Sequence, residues 1–281
     1  MTGVVVLNYN NAADTLACVN SLKECCRGGN WKLCVVDNAS RPEVAEEVGK
    51  ALAPEDKYII NPRNLGYAAG NNAGLRWLNT LAEVDNVLIL NSDIVLSEDI
   101  VTPMEEYLAS HPECGALSPL LLSPSGQPDY ACARRRKTAF DLLLRSTSLR
   151  RLGFEGGEFI LKKDPSLLAA KSLGVEVISG ACMMLPKKLF SELGFFDEGT
   201  FLYFEEDILC EKLRRAGRSC TLLPQISAVH KGAASTSRTS SSFLYKCYRD
   251  SLIYYMGNYT STPSALRSLI RLRTGIALKM K

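Results

Sequence analysis

Long apolar runs and histidine are both scarce in this chain of 281 residues, and each scarcity excludes a class of protein. No stretch approaches the roughly 20 apolar residues that a membrane-spanning helix needs, so no transmembrane segment is predicted. The first residues form the apolar segment GVVVL, without the basic region and apolar core of a secretory signal. Together these features predict a protein of the cytoplasm.

Cysteine motifs and a strong charge of one sign are also missing. The ten cysteines include no Cys-x-x-Cys pair, and with only two histidines a structural zinc site is not expected. Cys34 and Cys182 lie in apolar, strand-like segments, where a thiol behaves as a small buried hydrophobe. The net charge of +3 is too small to indicate nucleic acid as a partner. We therefore expect reduced, structural cysteines and no nucleic-acid binding.

Glycine-rich phosphate loops are the third absence. A Gly-x-Gly-x-x-Gly motif does not follow the first predicted strand, and the chain contains no G-x-x-x-x-G-K-[ST] motif. A dehydrogenase is therefore disfavoured. A nucleotide bound here needs another group to neutralise its phosphates, and a metal ion is the obvious candidate.

An alternation of short apolar runs and helical patterns is what the first hundred residues do contain. Strands that alternate with helices predict parallel β-α-β units with both sheet faces covered, hence an α/β fold. The predicted strands are Gly3–Leu7, Leu33–Asp37, Lys57–Ile60 and Val87–Leu90. The predicted helices are Ala12–Cys25, Val44–Leu52, one that begins near Tyr67, and Ser97–Leu108.

Polar side chains follow each of these four strands. In parallel sheets ligands bind beyond the carboxyl ends of the strands, so these side chains are expected to meet at one edge. The residues concerned are Asn8 and Asn10, Asp37, Asn64 and Asn91 with Asp93. Asp93 emerges from a buried strand and is well placed to hold a hard divalent cation through oxygen. An Asx-turn or a helix cap is the alternative for Asn91-Ser92-Asp93.

Three adjacent carboxylates, Glu205-Glu206-Asp207, precede a predicted helix that ends near Gly217. Like charges repel, so a fold that keeps three carboxylates together either places positive charges beside them or uses them in its function. Beside a cation and a phosphate, such a carboxylate can act as the general base for an attacking hydroxyl. Favourable interaction with the helix dipole at an exposed N-terminus is the alternative.

His230 is one of the two histidines and ends a predicted strand. Followed by Lys231 and a Ser/Thr run, it can ligate a metal or contact a diphosphate. A structural histidine with satisfied hydrogen bonds is the alternative.

Taken together, several segments resemble the family 2 glycosyltransferases with a GT-A fold, and among them the bacterial rhamnosyltransferase-like members. The matching stretches occur in the family's order over residues 3–236. They are VVVLNYN, VVDNAS, NPRNLGYAAGNNAGL, VLILNSDIVL, VISGACMMLPKKLFSELGFFDE, FLYFEEDILCEKLRRAG and HKGAAST. The resemblance implies a Rossmann-like GT-A domain over 1–236, with a nucleotide-binding half (1–110) and an acceptor half (111–236), and a helical extension over 237–281.

The resemblance also implies a role for each candidate residue. Asn8 and Asp37 would hold the nucleobase and ribose, with Asn64 and Gly66 nearby, and Gly180 and Ala181 would line the sugar and acceptor pocket. Asp93 stands at the metal-binding aspartate, with Asn91 where the family has a first aspartate, and His230 would assist the metal. For the base, the literal Glu-Asp pair selects Asp207, which we favour, whereas counting back from Gly217 selects Glu206.

An inverting transfer of one sugar from a nucleotide-sugar to an acceptor hydroxyl is the activity that the resemblance implies, with Mg²⁺ or Mn²⁺ as cofactor. The likeness points to dTDP-rhamnose as donor, with UDP-sugars second, and to a glycan or lipid-linked glycan as acceptor in the synthesis of a cell-envelope polysaccharide. Two rivals remain. A sugar nucleotidylyltransferase would need a glycine-rich, arginine-bearing phosphate loop, and a non-catalytic nucleotide-sugar-binding protein would bind the donor without turnover.

Basic residues cluster twice, in a region of irregular sequence and in the tail. The tail segment SALRSLIRLRTGIALKMK alternates apolar and basic residues at near-helical spacing, which suits a helix on the surface of an anionic membrane. Peripheral contact with the inner face of the cell membrane is one interpretation, and packing on the domain or on a second copy is the other. The residues are Arg134–Lys137, Arg145, Arg150 and Arg151, then Arg267, Arg271, Arg273, Lys279 and Lys281.

Overall fold

The computed structural model describes residues 1–138, 141–142, 159–232 and 240–279. The strands in these ranges are β1 (Thr2–Asn8), β2 (Trp31–Asp37), β3 (Lys57–Ile60), β4 (Asn86–Asn91), β5 (Ile94–Leu96), β6 (Cys114–Leu122), β7 (Ala133–Arg134), β8 (Leu173–Val175), β9 (Val177–Ile178), β10 (Cys182–Pro186) and β11 (Ser219–His230). The helices are α1 (Ala12–Cys25), α2 (Pro42–Ala51), α3 (Gly66–Asn79), α4 (Val101–Ser110), α5 (Ile160–Lys163), α6 (Lys187–Glu192), α7 (Glu205–Arg215), α8 (Ser241–Asn258) and α9 (Ser264–Lys279).

One sheet of nine strands forms the centre of the fold. Its order is β3-β2-β1-β4-β10-β6-β11-β5, and β8 pairs with β11 beside this path. The first four strands are parallel, whereas β10 runs antiparallel to both of its neighbours. Strands β7 and β9 pair separately. The predicted mostly parallel sheet flanked by helices is confirmed.

The apolar runs of the central strands are buried on both faces of this sheet. Successive side chains of a strand point to opposite faces, so a run such as Val4–Val6 contributes side chains to the hydrophobic cores on both faces of the sheet. Val4 and Val6 pack in one cluster with helix α1, and Val5 packs in the other with helix α3. All three side chains have no exposed area. The sequence reads as a continuous apolar run because neither face meets water.

Helices α8 and α9 cover one side of the molecule next to α7. Tyr255 and Leu252 of α8 are fully buried against Phe204 and Ile208. Burial of large aromatic side chains contributes most of the apolar area in such a contact. The predicted helical character of the region from about residue 241 is confirmed.

The predicted helix Ser97–Leu108 begins later than expected. Residues Ile94–Leu96 pair with β11 instead, and α4 begins at Val101. The N-cap residue is Ile100, and the side chain of Asp99 before it accepts hydrogen bonds from the backbone N–H groups of Val101 and Thr102, at 2.9 and 3.2 Å. Pairing with β11, far away in sequence, determines the structure of the segment just before this helix.

In the part of the chain that the structure describes, no helix combines the length and apolarity that a membrane span requires. The ten cysteines are free thiols, as predicted. Several predicted basic residues, namely Arg145, Arg150, Arg151 and Lys281, lie outside the described residues.

Candidate active site

A cleft of about 420 Å³ opens at the carboxyl-terminal edge of the parallel strands. Strand β10 begins at this edge because it runs antiparallel to β4, and the backbone N–H of Asn91 donates to the carbonyl of Ala181 at 2.8 Å. Strand β11 ends here, where the N–H of Lys231 donates to the carbonyl of Asp93 at 3.0 Å. The topology thus brings the end of β4, the start of β10 and the end of β11 together.

Eight of the twelve residues predicted for the site line this cleft, and four do not. The eight are Asn64, Gly66, Asn91, Asp93, Gly180, Ala181, Glu206 and His230. The other four are Asn8, Asn10, Asp37 and Asp207.

Asn8 and Asp37 lie beneath the cleft and bond to each other. Both are fully buried, and the Asn8 amide nitrogen donates to the Asp37 carboxylate at 2.6 Å. The other Asp37 carboxylate oxygen accepts a hydrogen bond from the backbone N–H of Ser40 at 2.7 Å. The side-chain oxygen of Asn8 accepts one from the Thr15 hydroxyl at 2.8 Å. The side chain of Asn10 accepts from the Arg41 N–H at 2.8 Å. These bonds brace the ends of β1 and β2; the contacts predicted for Asn8 and Asp37 with a nucleoside stay predictions.

Asn38 lines the cleft floor, and the sequence interpretation missed its role. Its amide nitrogen donates to the Asn64 side chain at 2.9 Å and to the Gly66 carbonyl at 3.0 Å. Its side-chain oxygen accepts a hydrogen bond from the backbone N–H of Leu65 at 3.1 Å. Asn38 therefore fixes the loop that leads into α3. Its position directly after Asp37, at a strand end, was the available signal.

Gly66 allows the start of α3 to touch the loop before α7. Its φ is +79°, and a methyl group built on it would lie 2.2 Å from the carbonyl oxygen of Phe201. The same carbonyl accepts from the N–H of Tyr67 at 2.8 Å, and the Tyr67 hydroxyl donates to the carbonyl of Gly180 at 2.7 Å. A residue without a β-carbon is required at such a contact.

Asp93 and His230 face each other across the cleft wall. Their Oδ1 and Nε2 atoms are 3.5 Å apart, and Nδ1 of His230 lies 3.7 Å from a carboxylate oxygen of Asp129. Burial lowers the pKa of His230, but the nearby carboxylates of Asp129 and Asp93 outweigh it and raise that pKa to about 9. This direction of shift favours the charged imidazole at neutral pH.

Asp93 and His230 alone do not complete the coordination of a divalent cation. The described residues contain no group of three or more His, Cys, Asp or Glu side chains that could hold a metal ion. One carboxylate oxygen and one imidazole nitrogen supply two ligands, and phosphate and water oxygens can supply the rest. Binding at Nε2 requires loss of the proton of His230.

The three carboxylates at the start of α7 have three different surroundings. Glu206 lines the cleft, and its Oε1 lies 2.7 Å from a guanidinium nitrogen of Arg134. Asp207 points away from the cleft and binds the Lys137 ammonium group at 2.6 and 2.8 Å. Burial raises the pKa of Asp207, but the charges of Lys137 and Arg134 prevail and lower it to about 2.

Glu205, which the sequence interpretation left without a role, also lines the cleft. The residue is 4% exposed, and its Oε1 has no hydrogen-bond partner among the described residues. Burial, followed by the charge of Glu206, raises the pKa of Glu205 to about 8. Adjacent residues of one helix therefore present one carboxyl group bound to Arg134 and one whose Oε1 has no partner among the described residues.

An apolar wall completes the cleft. Phe201 and Phe243 are 37% and 43% exposed, and their rings meet edge to face with centroids 5.8 Å apart. Phe243 and its neighbour Leu244 belong to the first turn of α8. The helical extension therefore contributes directly to the site.

Solved structures of glycosyltransferases share this arrangement of sheet and helices. The structure of GalNAc-T7 with UDP, GalNAc and Mn²⁺ superposes with a TM-score of 0.63 at 15% identity, covering 98% of this chain and 54% of that one. Residues 1–349 of TarS from S. aureus superpose with a TM-score of 0.54 at 14% identity, covering 97% of this chain and 70% of that one. The chain thus spans about half the length of the GalNAc-T7 chain. The fold is that of the GT-A glycosyltransferases.

The family follows from the sequence comparison. Residues 3–194, more than half of the chain, match the sequence profile of Glycosyl transferase family 2, and the chain belongs to this family. It is 26% identical over 247 residues to the low-salt glycan biosynthesis hexosyltransferase Agl10 of Haloferax volcanii, covering 88% of this chain and 72% of the relative. It is also 26% identical over 210 residues to the N-acetylglucosaminyl-diphospho-decaprenol L-rhamnosyltransferase of Mycobacterium tuberculosis, covering 72% and 67%. The resemblance drawn from the motifs is confirmed, and the chain is a glycosyltransferase.

Proposed function

We propose that this protein transfers a sugar from a nucleotide-sugar to a hydroxyl group of a glycan or lipid-linked glycan, with inversion at the anomeric carbon. The observation that carries the proposal is the convergence of Glu206, Asp93 and His230 on one cleft. A carboxylate that can accept a proton and a group that can meet a diphosphate are the two requirements of this reaction.

The donor proposed is dTDP-rhamnose, with UDP-sugars as the second choice. Similarity to a relative named as an L-rhamnosyltransferase supports rhamnose. Similarity in fold to TarS in complex with UDP, at 16% identity and a TM-score of 0.53, supports UDP-sugars as the second choice. Asn64, Gly66 and Asn91 are proposed to contact the donor, and Gly180 and Ala181 the sugar.

Glu206 is proposed as the general base. Arg134 binds its Oε1. A methyl group built on Gly180 would lie 3.8 Å from its Oε2, so Oε2 faces the loop between β9 and β10. In the reaction, Oε2 takes the proton of the acceptor hydroxyl while the acceptor oxygen forms a bond to the anomeric carbon. The bond between this carbon and the diphosphate breaks on the opposite face, and its electron pair stays on the phosphate oxygen.

Asp93 and His230 are proposed to meet the departing diphosphate. A bound Mg²⁺ or Mn²⁺ would supply neutralisation of the charge that develops on the leaving group. Asp93 would hold the cation, and His230 would either ligate it or, while charged, donate a hydrogen bond to a phosphate oxygen.

The test is release of nucleoside diphosphate from dTDP-rhamnose and UDP-sugars in the presence of acceptor. We expect Asp93→Ala and Glu206→Gln each to lower kcat by at least about a hundredfold, in the range of lost charge stabilisation or general base catalysis. Glu47→Gln, an exposed carboxylate on α2, is the matched control and should retain activity. EDTA should abolish turnover, and added Mn²⁺ or Mg²⁺ should restore it.

Calorimetry separates this proposal from a non-catalytic nucleotide-sugar-binding protein. Donor that binds while no free diphosphate forms with any acceptor would leave binding as the function. Full activity of Asp93→Ala would exclude the metal site at Asp93.

A further inference from the structure

Glu205 and Glu206 are adjacent residues of α7 that line the same cleft but differ in their contacts. Glu206 pairs with Arg134 at 2.7 Å, whereas no ion pair is formed by Glu205 within the described ranges. Glu205 is 4% exposed and its Oε1 accepts no hydrogen bond from described residues. An unpartnered polar atom in such a position costs free energy of folding, so its retention points to a use.

The described groups that influence the pKa of Glu205 most are acids or neutral, whereas Arg134 and Lys137 bind its neighbours Glu206 and Asp207. The hydroxyl of Thr200 lies beside its carboxyl group. The titratable groups are Glu206 and Asp207 on its own helix, Tyr67 on α3, Tyr203 in the preceding loop and Cys247 on α8. Burial and the charge of Glu206 raise the pKa of Glu205 to about 8, which favours its neutral form at pH 7.

The backbone before Glu205 fixes the direction of its side chain. Tyr203 and Phe204 have φ values of +77° and +71°, which side chains with a β-carbon rarely adopt. Phe204 is nevertheless held there, since its ring is buried and stacks on Tyr255 with centroids 5.3 Å apart. The fold therefore aims Glu205 at the cleft at a cost in backbone strain.

We propose that Glu205 is a substrate-binding residue whose carboxyl group forms a hydrogen bond with a hydroxyl of the sugar that lies beside Glu206. This inference rests on the proposed function. A neutral acid can donate to a hydroxyl and accept from it, and it does not repel Glu206 or a diphosphate. Two neighbouring carboxyl groups in different surroundings divide the tasks of holding the substrate and accepting its proton.

Substitution with glutamine tests the proposal, because an amide keeps both the shape and the donor of a neutral carboxyl group. We expect Glu205→Gln to stay within about threefold of the parent kcat/KM at pH 7, while Glu205→Ala loses about tenfold or more through a higher KM. The substrate whose KM rises, donor or acceptor, identifies the sugar that Glu205 holds. Glu206→Gln should lose kcat, which sets the two carboxyl groups apart.

The pH profile is the readout that a merely structural role would not change. Activity of the parent should fall as the pH rises through about 8, where Glu205 loses its proton. Glu205→Gln should not show this alkaline fall. A Glu205→Gln variant as inactive as Glu206→Gln would overturn the proposal, and so would equal KM values for the alanine and glutamine variants.

Binding of the donor by calorimetry distinguishes failure of this inference from failure of the proposed function. If the parent binds nucleotide-sugar but never transfers it, the enzyme proposal fails. In that case a tighter complex for Glu205→Gln than for Glu205→Ala supports the contact with Glu205, and equal affinities reject it. Urea unfolding of both variants confirms that the folded protein is compared.

Discussion

Asp207 is a buried anion that the fold keeps by surrounding it with cations. Its side chain and that of Lys137 are 2% and 5% exposed, and Arg134 completes the group at 3.3 Å. Burial lowers the pKa of Lys137 to about 8, so this ammonium group depends on the neighbouring carboxylate for its charge. Removal of one partner from a buried pair leaves the other charge without compensation.

We therefore expect Asp207→Asn to destabilise the protein by about 3–5 kcal/mol. Glu206→Gln, the matched control, should cost much less, because the side chain of Glu206 is 25% exposed and Arg134 keeps its bond to Asp207. Urea unfolding at pH 7 measures both. Equal stabilities for the two variants would contradict this account of the charge group.

Glu205 should make the stability of the fold depend on pH. Its folded pKa of about 8 lies above the ordinary value of 4.5, so the folded state keeps a proton that the unfolded chain releases. The stabilisation is fully present below pH 4.5 and is lost as the pH rises through about 8. Thermal unfolding from pH 5 to 9 should show the Tm of Glu205→Gln rising relative to that of the parent. A constant difference between the two would argue against a protonated Glu205.

At this scale the sequence predicts the kind of residue but not its surroundings. The charge of Glu205-Glu206-Asp207 marked the segment as functional. The three surroundings depend on Arg134 and Lys137, which come from about seventy residues earlier in the chain. No local pattern encodes such a contact, so the roles of Glu206 and Asp207 could not be separated from the sequence.

Among the elements, the junction of α3 with the loop before α7 controls the shape of the cleft. Asn38, Asn64 and the carbonyl of Phe201 meet around Gly66. The positive φ at Gly66 and the absence of its β-carbon are both needed for this contact.

Gly66→Ala should lower stability by at least about 1–3 kcal/mol, because alanine is strained at this φ and its methyl group meets the Phe201 carbonyl. The KM for the donor should rise as well, since Asn64 shifts with the loop. Gly28→Ala is the control: a methyl group there has open space and should change stability by less than about 0.5 kcal/mol. Denaturant unfolding and donor titration test the pair, and an unaltered Gly66→Ala protein would refute the constraint.

Element order was predictable where each strand reads as a separate apolar run. Strand β3 has the predicted bounds, and helix α1 likewise. The short strand β5 was not predictable, because Ile94–Leu96 becomes a strand only by pairing with β11 more than a hundred residues later.

For the molecule as a whole, the helical extension is bound through both apolar and polar contacts. Asp197 accepts hydrogen bonds from the hydroxyl groups of Tyr254, at 2.9 Å, and Tyr259. Ser251 donates to the carbonyl of Leu202 at 2.8 Å. The loop that leads into α7 is thus held by α8 over its length. The sequence predicted helices here but not their position at the cleft. An amphipathic pattern shows that one face of a helix is buried, but it does not show which part of the protein covers that face.

Helix α9 should bind the surface of an anionic membrane. Leu269 and Leu272 are 45% and 63% exposed beside Arg271 and Arg273. Sedimentation with anionic vesicles at low ionic strength should recover the protein, and neutral vesicles should not. Salt near 1 M, where the Debye length is about 3 Å, should release it.

Replacement of Arg271 and Arg273 by glutamine should weaken this binding without loss of transfer to a water-soluble acceptor. Failure to bind at low salt would remove the membrane proposal. Sedimentation equilibrium would then decide whether α9 pairs with a second copy instead.

Phe243 and Leu244 close the cleft from a helix that is translated after every carboxylate of the site. A chain cut before α8 would keep each of these carboxylates and would lack one wall of the cleft. The smallest unit that can enclose a substrate here therefore includes this helix.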